Sequence, residues 1–124
     1  MRKIVMLTLG LILICYSSLS ASTTVGGNIT EDTVWDLEGS PYIVESTVQV
    51  LEDVTLEIKP GVEVRFKEEI GLTIGGELIA KGESDNRIVF TSNNENKTPG
   101  DWENIKFTST AKSTNKSKNY KYES

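Results

Sequence analysis

Two six-residue stretches, Arg87-Ile-Val-Phe-Thr-Ser92 and Asn104-Ile-Lys-Phe-Thr-Ser109, match at an offset of 17 residues. Ile88, Phe90, Thr91 and Ser92 correspond to Ile105, Phe107, Thr108 and Ser109. Repetition at a steady spacing constrains a fold more than any single motif, because each repeat must occupy an equivalent place. Read backward, Leu72 lies 16 residues before Ile88 and Val54 lies 18 before Leu72. Val54, Leu72, Ile88 and Ile105 therefore form one expected ladder. A second runs through Val48, Val64 and Ala80 at steps of 16, with Val50 and Phe66 alongside. Two interleaved ladders with one period predict a chain that coils back over itself, stacking like residues inside. A single coil cannot bury its own apolar face, so several must stack. About five rungs are expected, the first of them irregular.

The segment from Val54 to Phe66 shows how one rung is built. Val54, Leu56 and Ile58 alternate with Thr55, Glu57 and Lys59; Val62, Val64 and Phe66 alternate with Glu63, Arg65 and Lys67. A period of two marks half-buried strands. Between them, Pro60 presets its φ and Gly61 accepts a positive one, which predicts a type II turn. A hairpin would suit these residues alone, but antiparallel neighbours would not keep a constant offset between like strands. Further corners are expected at Asp53, Gly71 and Gly76, where a short polar residue or glycine tolerates unusual backbone.

The rest of the chain reads as short strands. Thr23 to Asp36 is polar around Trp35, with Val34-Trp35 as a short strand or lid. Tyr42-Ile-Val44 and Thr47-Val-Gln-Val50 are strands broken at Glu45-Ser46. Leu72-Thr-Ile74 and Glu77-Leu-Ile-Ala80 flank Gly75-Gly76, and a long polar loop runs from Asn93 to Asp101. No segment shows helical spacing, so the class is all-β. A small β-sandwich is the competing architecture.

The order of Trp35, Ser40-Pro-Tyr-Ile-Val44, Val54 to Phe66, Leu72-Thr-Ile74, Gly76-Glu-Leu-Ile-Ala-Lys-Gly82, Ile88-Val-Phe-Thr-Ser92, Gly100-Asp-Trp102 and Ile105-Lys-Phe107 resembles the opening coils of right-handed parallel β-helix proteins. These are the pectate-lyase-like exported or surface proteins of bacteria and archaea. The resemblance covers roughly residues 28–109 and supplies the expected handedness. It implies an elongated surface module, structural or adhesive, with polysaccharide or other cell-surface proteins as partners. The alternative it implies is the front end of a carbohydrate-active enzyme, a polysaccharide lyase or glycosidase, whose active site lies in later coils.

Residues 1–22 have the layout of a secretory signal peptide: basic Arg2 and Lys3, an apolar run from Ile4 to Tyr16, then small residues. The expected location is therefore secreted or cell-surface, with no membrane insertion once the leader is cleaved. An uncleaved anchor is the competing reading. Cys15 follows Leu13 and Ile14, unlike a lipoprotein cysteine, and leaves with the leader. The mature chain then has neither cysteine nor histidine. It thus lacks thiolate ligands and the commonest general base. Net charge is −5 overall and −7 without Arg2 and Lys3. This acidity disfavours nucleic acid as a partner.

The expected domains are thus the leader (1–22), an N-terminal cap with first strands (23–46), the β-helix coils (47–109) and a polar tail (110–124). From Ala111 onward there are four lysines and no Val, Ile, Leu or Phe. Such a composition predicts no further rung. We expect a fragment, from a truncated gene or a frame shifted near Thr110; a natural unstructured tail is the alternative.

Chemistry is sparse. Glu52-Asp53 and Glu68-Glu69 are paired acids at expected corners, where solvation is the ordinary role. Asp85-Asn86 and Asn93-Asn94-Glu95-Asn96 are oxygen-rich without calcium-loop spacing. No catalytic residue, metal site or cofactor is expected. Trp35, Tyr42 and Trp102 could stack on sugars if exposed, but packing at ends or corners is the favoured role. Asn28, Asn96 and Asn115 open Asn-x-Ser/Thr sequons in expected loops or tails, so each is a candidate glycan acceptor.

Overall fold

A computed structural model describes residues 21–112 and 120–122. Ten strands are present: β1 (Thr23–Ile29), β2 (Thr33–Trp35), β3 (Tyr42–Val50), β4 (Thr55–Ile58), β5 (Glu63–Phe66), β6 (Leu72–Ile74), β7 (Glu77–Ala80), β8 (Ile88–Ser92), β9 (Ile105–Phe107) and β10 (Tyr120–Tyr122). Every pairing between them is parallel. The chain is an all-β parallel solenoid of about 3 turns, as the alternation and repetition predict. The leader reading of residues 1–22 falls almost wholly outside the described residues, as does Asn115.

Three faces emerge from the register. The first half of β3 pairs with β5 and its second half with β6, so β3 bends from one face to the next. β1 bends with it: its ladder against β3 shifts register between Val25 and Gly27. The bend sits at Glu45-Ser46, where a strand break is predicted; the strand turns there and continues. The first face stacks β1, β3, β5, β8 and β10; the second stacks β1, β3, β6 and β9; the third stacks β2, β4 and β7. About five rungs are expected, whereas the solenoid makes about 3 turns; the fifth strand of the first face, β10, comes from the tail from which no rung is predicted.

The interior is a set of stacked ladders. Tyr42, Val64 and Phe90 pair in sequence, as do Val44, Phe66 and Ser92. Val48, Leu72 and Ile105 form another, beside Val50, Ile74 and Phe107. On the third face Trp35 pairs with Ile58, and Ile58 with Ala80. Val44, Val50, Leu56, Val62, Val64, Phe66, Ile74 and Ile88 are 0% exposed. Each such side chain removed from water stabilises the fold by about 1.5–3 kcal/mol. Outside, Lys59–Glu57, Arg65–Glu63 and Lys67–Glu45 pair at 3.1, 3.1 and 3.4 Å. These pairs are solvated and worth at most about 1 kcal/mol each.

The predicted period requires correction. Register partners Tyr42, Val64 and Phe90 set steps of 22 and 26 residues, rather than 16 to 18. In the first expected ladder only Leu72 and Ile105 are partners; Val54 sits at a corner and Ile88 on the first face. Val48, Val64 and Ala80 lie on three different faces. All of these residues except Ile105 are buried, so the core assignment holds while the stacking does not. The physical reason is that interior strands share one apolar–polar–apolar pattern whichever face they occupy.

Corners fall at all four expected places. Asp53 has φ 67° and Val54 N donates to Leu51 O at 3.1 Å. Gly61 has φ +85°, and Val62 N donates to Lys59 O at 3.3 Å, as a type II turn requires. Glu69, with φ 63°, also sits at a corner, as expected of the Glu68-Glu69 pair.

Strands run across the expected domain bounds. β1 is in register with β3 from Thr23 onward, so the expected cap already takes part in the solenoid, and residue 46 falls inside β3. At the other end, Tyr120–Tyr122 pairs with Ile88–Phe90, inside the tail from which no rung is predicted. Parallel pairing is made by backbone groups, so a polar composition does not forbid one short strand on an open edge.

Candidate functional site

The paired acids do not converge. Glu52, Asp53, Glu68 and Glu69 are exposed at two different corners. Among the described residues, no group of three or more His, Cys, Asp or Glu is gathered closely enough to hold a metal ion. Asp85 and Asn86 close a tight turn in which Glu83 and Asn86 exchange backbone hydrogen bonds of 3.0 Å. Among the described residues, no helix is long and apolar enough to cross a membrane.

The polar loop from 93 to 104 is ordered around Asp101. Its carboxylate accepts from Thr98 Oγ1 at 2.6 Å and from Thr98 N at 2.8 Å. These bonds, the hydroxyl one first, favour the charged form and lower the carboxyl pKa from 3.8 to about 2. Glu69 N donates to Asp101 O at 2.8 Å, tying the loop to the coil below. Trp102 follows directly and stacks on Phe66, with centroids 4.4 Å apart and planes 6° from parallel.

The three aromatics considered for sugar stacking are all buried: Trp35 is 3% exposed, Tyr42 5% and Trp102 6%. Trp35 stacks on Tyr42 at 4.9 Å. Tyr42 Oη accepts from Asp36 N at 2.9 Å and donates to Asp36 O at 3.1 Å. Desolvation by the surrounding residues raises the phenol pKa above 10.0. Asp36 also caps the 3₁₀ turn Leu37–Gly39, accepting from Gly39 N at 3.3 Å.

A concavity lies at the N-terminal end of the solenoid. It is a groove of about 540 Å³ lined by Val25, Gly27, Ile29, Trp35, Glu45 and Val48, among others. Sequence reasoning missed it because it missed β1, whose inward positions are the modest Thr23, Val25, Gly27 and Ile29. Their alternation was the available signal.

The sequons divide. Asn96 is exposed in the long loop, as expected, whereas Asn28 is exposed on strand β1 and not in a loop.

Comparison with known proteins places this geometry. A protein called bark beetle, from Drosophila melanogaster, is 38% identical over 76 residues, which is 61% of this chain. The chain spans 2% of that protein's length. No solved structure matches. The sequence profile of the pectate-lyase-like β-helix domain matches residues 27–124, a span that includes the tail expected to be unstructured or out of frame. The chain belongs to the family of pectate-lyase-like β-helix domains.

Proposed function

We propose that this chain is a non-catalytic structural or adhesive module of an exported, cell-surface β-helix protein. The observation that carries this reading is that Trp35, Tyr42 and Trp102, the aromatics that could have stacked on sugars, are spent on packing. Trp35, Tyr42 and Trp102 each stack inside rather than on an outer face. What the solenoid presents outward is a stack of short, flat, mostly polar strand faces, suited to spacing or to binding neighbouring proteins or polysaccharide. The basic, apolar and small-residue order of residues 1–22 supports export. N-terminal sequencing of product recovered outside the expressing cell tests this. A start near Ala21 to Thr23 is expected, and retention of Met1 in a cell-associated product overturns the export step.

The family's description supports a second reading, the N-terminal part of a polysaccharide lyase or glycosidase. Incubating the chain with acidic and neutral polysaccharides separates the two. Under the module reading neither unsaturated ends nor new reducing ends accumulate; either product would establish the enzyme reading.

A further inference from the structure

The first two coils carry an uneven charge. From Thr23 to Ile58 there are eight Asp or Glu residues and no Lys or Arg; the next base along the chain is Lys59. Glu31, Asp32, Asp36 and Glu38 are exposed on the first coil, and Glu45 lines the groove, shared with Lys67 at 3.4 Å. Amid these acids two large apolar side chains stay in solvent: Val34 is 52% exposed and Leu37 60%.

The same end offers a strand edge. Among the described residues β1 pairs with β3 alone. Thr23 N donates to Pro41 O at 3.0 Å, and Ile29 O accepts from Leu51 N at 3.2 Å. Parallel pairing alternates direction along a strand. The N–H and C=O groups of Thr24 and Asn28 therefore face away from β3. An added strand would meet those groups, and its alternate side chains would point into the groove over Trp35 or out toward the acids.

We propose that the N-terminal end of the solenoid docks an extended cationic segment, which adds as a strand to β1 and seats an apolar side chain in the groove. Charge complementarity selects the occupant: Glu45 and Glu57 are paired with Lys67 and Lys59, and the other six acids, four of them exposed on the first coil, repel an anionic strand and attract a lysine- or arginine-bearing one. The inference goes beyond the proposed structural role and does not depend on it.

The test titrates the isotope-labelled full chain with an alternating valine–lysine peptide and with its valine–glutamate counterpart, at low and moderate salt. The lysine peptide should shift the Thr24, Gly27 and Asn28 amides and the Trp35 indole saturably, and added salt should weaken it. The glutamate peptide should do nothing. Asn28→Pro, which deletes an edge donor, should abolish the shifts. A combined Glu31→Lys and Glu38→Lys variant, altered only at exposed side chains, should weaken binding about tenfold or more. Equal binding of both peptides, or no shifts with either, overturns the proposal. So does concentration-dependent movement of the same amides without peptide, which would assign the edge to a second copy. Edge amides already protected in the free chain would assign the edge to the chain's own residues and overturn the proposal as well.

Discussion

Two tryptophans close two corners of this solenoid by different means. Trp35 ends the third face of the first coil and stacks on Tyr42, which opens the first face of the next. The partners are near in sequence, and the Tyr42 hydroxyl pins the intervening turn by bonding both Asp36 N and Asp36 O. Trp102 arrives from a long loop and stacks on Phe66, in the coil below. The loop that carries it is held by Asp101 and Thr98. The remaining corner, between the second and third faces, uses no ring. There Gly76 lets one coil settle on another, since an added Cβ would lie 2.1 Å from Val54 O and 2.5 Å from Leu51 O. Apolar contact, local hydrogen bonding and bare backbone approach are three solutions to one problem, and they should fail differently.

The largest failure is expected at the stack on Phe66. Phe66 is 0% exposed and contacts both Trp102 and Phe90, the latter at 6.5 Å between centroids. Phe66→Ala should cost about 3–5 kcal/mol in denaturant unfolding. Combined with Trp102→Ala, a double-mutant cycle should show coupling of about 0.5–1.5 kcal/mol. Additive losses would mean that the stack is incidental to the loop's position.

Next in size is the ringless corner. Gly76→Ala forces Cβ against backbone oxygens, which cannot swing aside as a side chain would. Overpacking of this kind costs about 1–3 kcal/mol. The urea midpoint should fall with the slope unchanged. An unaltered midpoint would show that the coils have slack, and that the glycine is not required.

How much of this could be read from the chain follows from the same contrast. Alternation from Val54 to Phe66 gave two strands and the turn at Pro60-Gly61, because side-chain direction depends only on local backbone. The coil period was misread because corner lengths differ. Between the first and second faces the chain uses Gly26 alone, then 45–47, then 67–71, then 93–104. Ile88-Val-Phe and Ile105-Lys-Phe look like successive rungs, yet they are adjacent faces of one coil. The burial of Trp35 and Trp102 at corners was legible from their polar, turn-rich surroundings. Their partners were not, since stacking depends on the unknown register. The groove was hidden because β1 lines it with Thr, Val and Gly, residues of little apolar signal.

The hydroxyl-anchored stack predicts a smaller effect and a pH signature. Tyr42→Phe keeps the ring and removes both bonds to Asp36, so it should cost about 1 kcal/mol. The phenol's folded pKa lies above its ordinary 10.0. Its contribution is therefore complete below pH 10.0 and is lost as pH rises through the raised value. The wild-type chain should lose alkaline stability that the phenylalanine variant does not. Parallel alkaline profiles would remove Tyr42 as the cause.

At the other stack the sign reverses. Asp101 has a folded pKa of about 2 against 3.8. Between those values an opened loop binds more protons than the closed one, so closure weakens as pH falls from about 4 toward about 2. The effect is local and should be the smallest of the set, best seen in the two indole N–H resonances rather than in global melting. The Trp102 signal should move across the acid window together with the Thr98 amide, while the Trp35 signal stays still there and responds only on the alkaline side with Tyr42. Asp101→Asn should flatten the acid response of Trp102 and leave the alkaline response of Trp35 intact. If both indoles move together in acid, the corners are not independent, and one cooperative unit, not three separate closures, governs the coil.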